Sequence, residues 1–314
     1  MKYILDRSDP GYRYQKPRNA QCTPFRHHMG NLQAQDDILS AVVAPLDPAE
    51  EECPYPWLLE GDATDVTQIL GLTGTCPRVL HMFAQITNLS ADLQKVSQHH
   101  HVLFPFLSLG PDQNQNPSSI VIPEVASVLL ERLQNFHQWS ELSPQGYAST
   151  EELFQSCVLD ETGKIYSAVT SCELTAESYV ATAEIYLHCR LLRKPRKHPD
   201  VQKRLEDLIK ILQYLPLKGV IYTSQNSLFA VVVAGLVAVT EYDRRVVCDF
   251  YGKKPDERSA SEPSWRALND IWHWLDDELQ EDSVDDGRPL PDRLAWWEIM
   301  VDRIMKNEGR ISLL

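Results

Sequence analysis

The chain has 314 residues, 43% of them apolar, and carries a formal charge of −14 from 44 acidic against 30 basic side chains. That length buries a substantial core, as one large α domain or two smaller ones. The acidic balance excludes broad contact with a phosphate backbone, because non-specific nucleic-acid binding is driven by Lys and Arg neutralising phosphates.

The seven cysteines (22, 53, 76, 157, 172, 189 and 248) never come closer than 15 residues to one another. With no C-x2-C pair, structural zinc of the finger or cluster type is excluded. An odd, dispersed set after a polar, Pro/Arg-rich start fits reduced thiols in a nuclear or cytoplasmic protein.

Residues 1–60 hold Pro10, Pro17, Pro24, Pro45, Pro48, Pro54 and Pro56. They read as an extended or partly ordered arm against a single all-helical domain over 61–314. Asp62 or Thr64 caps a short helix carrying Val66, Ile69 and Leu70, with Gly71 placed to end it. Thr75 precedes Pro77, a first-turn proline, and Val79, Leu80, Phe83, Ile86 and Leu89 form an apolar stripe. After a Pro/Asn/Gln-rich loop (108–118), helical spacing returns from about Glu124. A long amphipathic stretch covers roughly 175–192. Pro195 and Pro199 break it, and Val201, Leu205, Leu208, Ile209 and Leu212 restart the period until Pro216. LFAVVVAGLVAV (228–239) is too short to span a bilayer and reads as a helix buried on nearly all sides, so no membrane partner is expected. A helix through Val246 and Phe250 follows, then a Trp-spaced helix from Trp265, an acidic loop and a terminal helix. VLDETGKIY (158–166) forms a small hairpin or a plain loop. The pattern is all-α: an irregular multi-helix bundle.

Motifs for chemistry are sparse. His27–His28 and His99–His101 are adjacent residues, which point about 100° apart on a helix and do not converge on one tetrahedral ion. They read as exposed histidines, and no metal is expected. Glycine-rich phosphate loops and nucleophile elbows are absent, and no cofactor is expected. Arg190, Arg193, Lys194, Arg196 and Lys197 form a basic run. It reads either as a nuclear localisation signal or, preferably, as the cationic end of a helix. The seven acids among residues 276–286 read as a solvated helix end and loop. Asn269, Asp270, His273 and Asp277 resemble half of a diphosphate–magnesium comb. The facing half is missing, since Asp36-Asp37 lacks a third acid.

The aromatics carry more. Trp265, Leu268, Ile271, Trp272 and Leu275 share one helical face, so they are core first. Tyr179, Tyr186 and Tyr222, with Phe229, Val232 and Gly235 of the buried run and Trp272, Trp296 and Trp297, are also candidates to line an apolar small-molecule pocket. No catalytic residue is singled out.

Several segments together resemble a known family. DVTQILGLTGTCPRVLHMFAQITNLS (65–90), the Ala183-Glu184-Ile185-Tyr186-Leu187 core of SYVATAEIYLHCRLL (178–192), the block LPLKGVIYTSQNSLFAVVVAGLVAVTEYDRR (215–245), WRALNDIWHWLDDE (265–278) and AWWEIMVDRIMKNEGRISLL (295–314) occur in order. They are similar to the fungal-specific transcription-factor domain, the regulatory region of zinc-cluster activators. The resemblance implies an all-helical regulatory domain that reaches DNA only through a six-cysteine cluster absent from this chain, and an apolar effector as in sterol-responsive members. The chain is then either a fragment trimmed of that head or a stand-alone protein beginning at Met1. In the second case it is a co-regulator, or a cyclase or isomerase of secondary metabolism acting on an apolar substrate. The acidic, helix-rich surface is compatible with monomer or homodimer.

Overall fold

The computed structural model describes residues 24–46, 55–59, 61–71, 73–103, 117–143, 146–217, 228–252, 263–277 and 288–311. These hold eleven α-helices and no strand, only isolated bridges. The helices are α1 (Pro24–Ser40), α2 (Ala63–Thr67), α3 (Pro77–Leu103), α4 (Pro117–Gln134), α5 (Thr150–Ser156), α6 (Ala168–Tyr186), α7 (Pro199–Tyr214), α8 (Leu228–Val237), α9 (Glu241–Tyr251), α10 (Pro263–Asp277) and α11 (Trp296–Asn307). A π-helical turn, Leu187–Leu191, extends α6.

Within the expected arm, Pro24–Ser40 is helical and Ala34, Ile38, Leu39, Val42 and Val43 join the main core. The prolines punctuate only the ends of that stretch. From Phe25 to Ala44 no proline interrupts the backbone hydrogen bonds, so the chain is free to coil. The described part of the expected extended or partly ordered arm is thus helical and lies against the core. Asp62 caps α2 by accepting from the Thr64 and Asp65 amides while the Asp65 carboxylate accepts from the Asp62 amide. That helix stops at Thr67, before Gly71, because Leu70 turns back to bridge Thr75. α4 starts at Pro117 and carries Pro123 inside it, seven residues before the expected start at Glu124. In the 158–166 segment a single bridge, Leu159 to Ile165, closes a turn in which Asp160 caps Thr162 and Lys164.

α6 differs most from its reading. Ser167 caps it by accepting from the Thr170 amide, so it begins well before residue 175, and every residue from Glu173 to Tyr186 is buried. It is the central helix, enclosed on all sides rather than amphipathic. α7 is the amphipathic one, with Val201, Leu205, Leu208, Ile209 and Leu212 turned inward against α6. α8 is buried from Phe229 to Val237 and packs between α6, α7, α9 and α10.

Gly235 marks the closest approach in this layer. A Cβ there would stand 2.8 Å from Leu268 Cδ2 and 3.4 Å from Val247 Cγ1. Gly235→Ala is expected to lose about 1–2 kcal/mol in urea unfolding, because overpacking outweighs the roughly 1 kcal/mol gained in helix propensity. Adding Leu268→Val should recover part of the loss. A Gly235→Ala protein more stable than wild type would refute the contact.

Candidate functional site

The arginines of the basic run are not surface features, although Lys197 is exposed. Arg190, Arg193 and Arg196 are all buried. Each guanidinium reaches backbone carbonyls far away in sequence. Arg190 donates to the carbonyls of Ala41, Val42 and Ala44 and to the Tyr186 hydroxyl, and forms a bidentate pair with Glu298 at 2.7 and 2.8 Å. Arg193 donates to the carbonyls of Pro291 and Arg293. Arg196 donates to those of Ala238 and Leu275 and to the Asp276 carboxylate. A localisation signal must be exposed to its receptor, so these three side chains do not provide one in the folded chain. They do satisfy carbonyls, as the helix-end reading held, but the carbonyls belong to other segments. The run ties the end of α1, the 290–293 turn and the ends of α8 and α10 to one point.

That point is locally irregular. The π turn inserts one residue into α6, a device frequent at functional sites. Just beyond it Arg193 has φ +52, the one non-glycine in the left-handed region among the described residues, a conformation that costs about 1–2 kcal/mol. Within the turn, His188 is buried and its Nδ1 has no hydrogen-bond partner among the described residues. Burial first, and then the Lys194 cation, push its pKa down to about 4, so the imidazole is neutral at pH 7. For Arg190, burial opposes the charge, but Tyr186 and the Glu298 carboxylate outweigh it and keep the guanidinium charged.

Part of the aromatic set lies beside this turn, through Tyr186, Trp296 and Trp297. Tyr179 stacks on Phe229 at 5.7 Å, Phe229 meets Phe83 edge-on, and Tyr186 meets Trp297 at 5.7 Å. Trp297 donates to the Val42 carbonyl and Trp296 to that of Lys194. Trp272 donates to the Gly235 carbonyl, and Val232 is buried beside them in the same cluster. Tyr222 lies outside the described residues. Every placed candidate is thus interior, and each indole N–H is satisfied by a carbonyl.

The diphosphate comb is dispersed. Asn269 donates to the Trp265 carbonyl, and Asp270 is held by Arg303 and Asn307 of α11. Among the described residues no three His, Cys, Asp or Glu side chains are grouped to hold a metal ion. No described helix is long and apolar enough to cross a membrane. The acidic segment 278–287 and the side chains of His27, His28 and His99 to His101 lie outside the described residues.

Sequence reasoning missed a second buried ionic cluster. Arg204 of α7 donates to Glu177 at 2.7 Å and to Asp207 at 3.0 Å. Its Nε stands 3.0 Å from Glu184 Oε1, near enough for an ion pair although off the N–H axis. Tyr147 and Thr150 also donate to Glu177, fastening α5 to α6. The signal was present in the acids at 173, 177 and 184, spaced to share one flank of α6.

Buried helices, internal arginine staples and an aromatic interior define an all-α multi-helix bundle. The chain belongs to the fungal specific transcription factor domain family, whose model matches residues 17–312. That membership supports a role in transcriptional regulation. Comparison with curated proteins and with solved structures finds no match.

Proposed function

We propose that these residues form an effector-sensing regulatory domain, with DNA contact supplied by a zinc cluster outside them. An apolar small molecule would lodge among Tyr179, Tyr186, Tyr222, Phe229, Val232, Gly235, Trp272, Trp296 and Trp297, and the domain would work in the nucleus. What supports sensing is the stapled π turn. One irregular element holds segments from both ends of the described chain, and it touches the aromatic set through Tyr186 and the Lys194 carbonyl.

A ligand shifts such a domain only by its differential affinity for two packings. Repacking near Tyr186 and Trp297 would move Arg190 relative to the carbonyls of Ala41 and Val42, and so loosen or tighten the α1 end. The test is a fusion of the chain to a heterologous DNA-binding domain, read on a reporter in a fungal host. The same protein purified from that host is then examined by native mass spectrometry. An altered reporter output and an apolar adduct are expected. An inert fusion together with unladen protein would sink the proposal, and a product formed from host extract only in the chain's presence would make it an enzyme instead.

A further inference from the structure

Two buried carboxamides on α1 stand out from the rest of the interior. Asn31 and Gln35 are one helical turn apart and 2% and 0% exposed. The Gln35 amide nitrogen donates to the Thr73 carbonyl at 2.8 Å and to the Tyr179 hydroxyl at 3.2 Å. Turning the amide over would set its oxygen against a carbonyl, so its orientation is determined. Among the described residues Gln35 Oε1 then has no partner, and neither has Oδ1 or Nδ2 of Asn31. Gln138 shows what this fold does with an ordinary buried amide. Its oxygen accepts from Thr75 Oγ1 and the Cys76 amide, and its nitrogen donates to the Ala176 carbonyl. Buried polar groups are almost always paired, and three orphaned atoms on one helix face point to a partner from outside the chain.

We propose that Asn31 and Gln35 form the polar end of a ligand site for a neutral molecule with an apolar body and a hydroxyl or carboxamide head. The orphaned set comprises one donor group and two acceptors, so the matching head both donates and accepts. It is neutral because no charged side chain among the described residues hydrogen-bonds to either amide, and a buried unpaired charge is prohibitive. The apolar body points toward the aromatic interior, because Gln35 is bonded to Tyr179 and Tyr179 lies on Phe229. The inference rests on the effector reading above and adds the head-group chemistry to it.

The experiment measures binding of 1-decanol and of decane to the full chain by Trp fluorescence, in wild type and in Asn31→Leu. Wild type is expected to bind decanol about threefold to tenfold tighter than decane, the worth of one ordinary hydrogen bond. Asn31→Leu should erase that preference and leave decane binding unchanged. Asn31→Ala serves as a second variant should the leucine impair folding. Equal binding of both probes, or a preference that survives both variants, overturns the polar anchor and leaves the apolar interior standing. No binding of either probe overturns both. A higher unfolding temperature in Asn31→Leu with no change in preference also overturns the anchor, showing two unsatisfied amides and nothing more.

Discussion

Arg190→Met is expected to lower the unfolding free energy by about 3–5 kcal/mol, the range seen when one partner of a buried ion pair is removed. Three features set the size of the effect. The Arg190 side chain is fully buried while Glu298 is only 15% exposed, so the carboxylate left behind is poorly solvated. The carbonyls of Ala41, Val42 and Ala44 lose their donor at the same time, and each unsatisfied buried group adds a penalty. The Tyr186 hydroxyl also loses the contact that links the guanidinium to Trp297. Arg190→Lys should recover little, since an ammonium cannot span a bidentate carboxylate and three carbonyls with one planar fork. Adding Glu298→Gln to Arg190→Met should restore part of the loss by removing the stranded charge. Urea unfolding of the four proteins checks this. A methionine variant within 1 kcal/mol of wild type would show that the staple contributes little. Limited proteolysis adds a positional readout: cleavage in Arg190→Met is expected first between Ala41 and Leu46, where the freed carbonyls lie.

The parts of the fold that were legible in sequence are those set by local periodicity. α7 and α10 follow their apolar spacing, and the 228–239 run is buried from Phe229 to Val237, where its helix ends. The Trp265 to Leu275 face is core, as its spacing required. What escaped was set by partners far along the chain. Arg190 and Ala41 are 149 residues apart, and Arg193 and Pro291 are 98 apart. Nothing near the R-L-L-R-K-P-R stretch reveals that its cations turn inward. The same holds for α6, whose acids at 177 and 184 are covered by Arg204 of α7. Of the aromatic candidates, Tyr179 lies on Phe229 and Tyr186 meets Trp297 ring against ring. Asn31 and Gln35 were not legible, because they lie in a stretch whose flanking prolines masked a helix.

The cluster around Arg204 supplies one of two opposed responses to pH. One guanidinium faces Glu177, Glu184 and the partly exposed Asp207. Arg204→Met leaves two buried carboxylates uncompensated, and a loss of about 3–5 kcal/mol is expected at pH 7.5. The loss should shrink toward pH 5, where the stranded Glu184 takes up a proton. In wild type, burial raises the Glu184 pKa to about 7 from an ordinary 4.5, with Arg204 opposing and Glu177 adding to the shift. Between those values the folded chain holds a proton that the unfolded chain has released. Stability from Glu184 is therefore fully present below pH 4.5 and lost as pH rises through 7. His188 acts in the opposite sense. Its folded pKa of about 4 lies below the ordinary 6.5, so the unfolded chain binds the proton first. Its contribution is present above pH 6.5 and lost as pH falls through 4. Over roughly pH 4.5–6.5 the two slopes, each on the order of 1.4 kcal/mol per pH unit, oppose one another, and wild-type stability should be nearly level with respect to these two groups. Glu184→Gln removes one of them. Its unfolding free energy is expected to rise with pH across that window, while His188→Gln should fall with pH over the same range. Urea titrations at half-unit pH steps decide the matter, and parallel profiles for wild type and Glu184→Gln would show that Glu184 keeps no proton near neutrality.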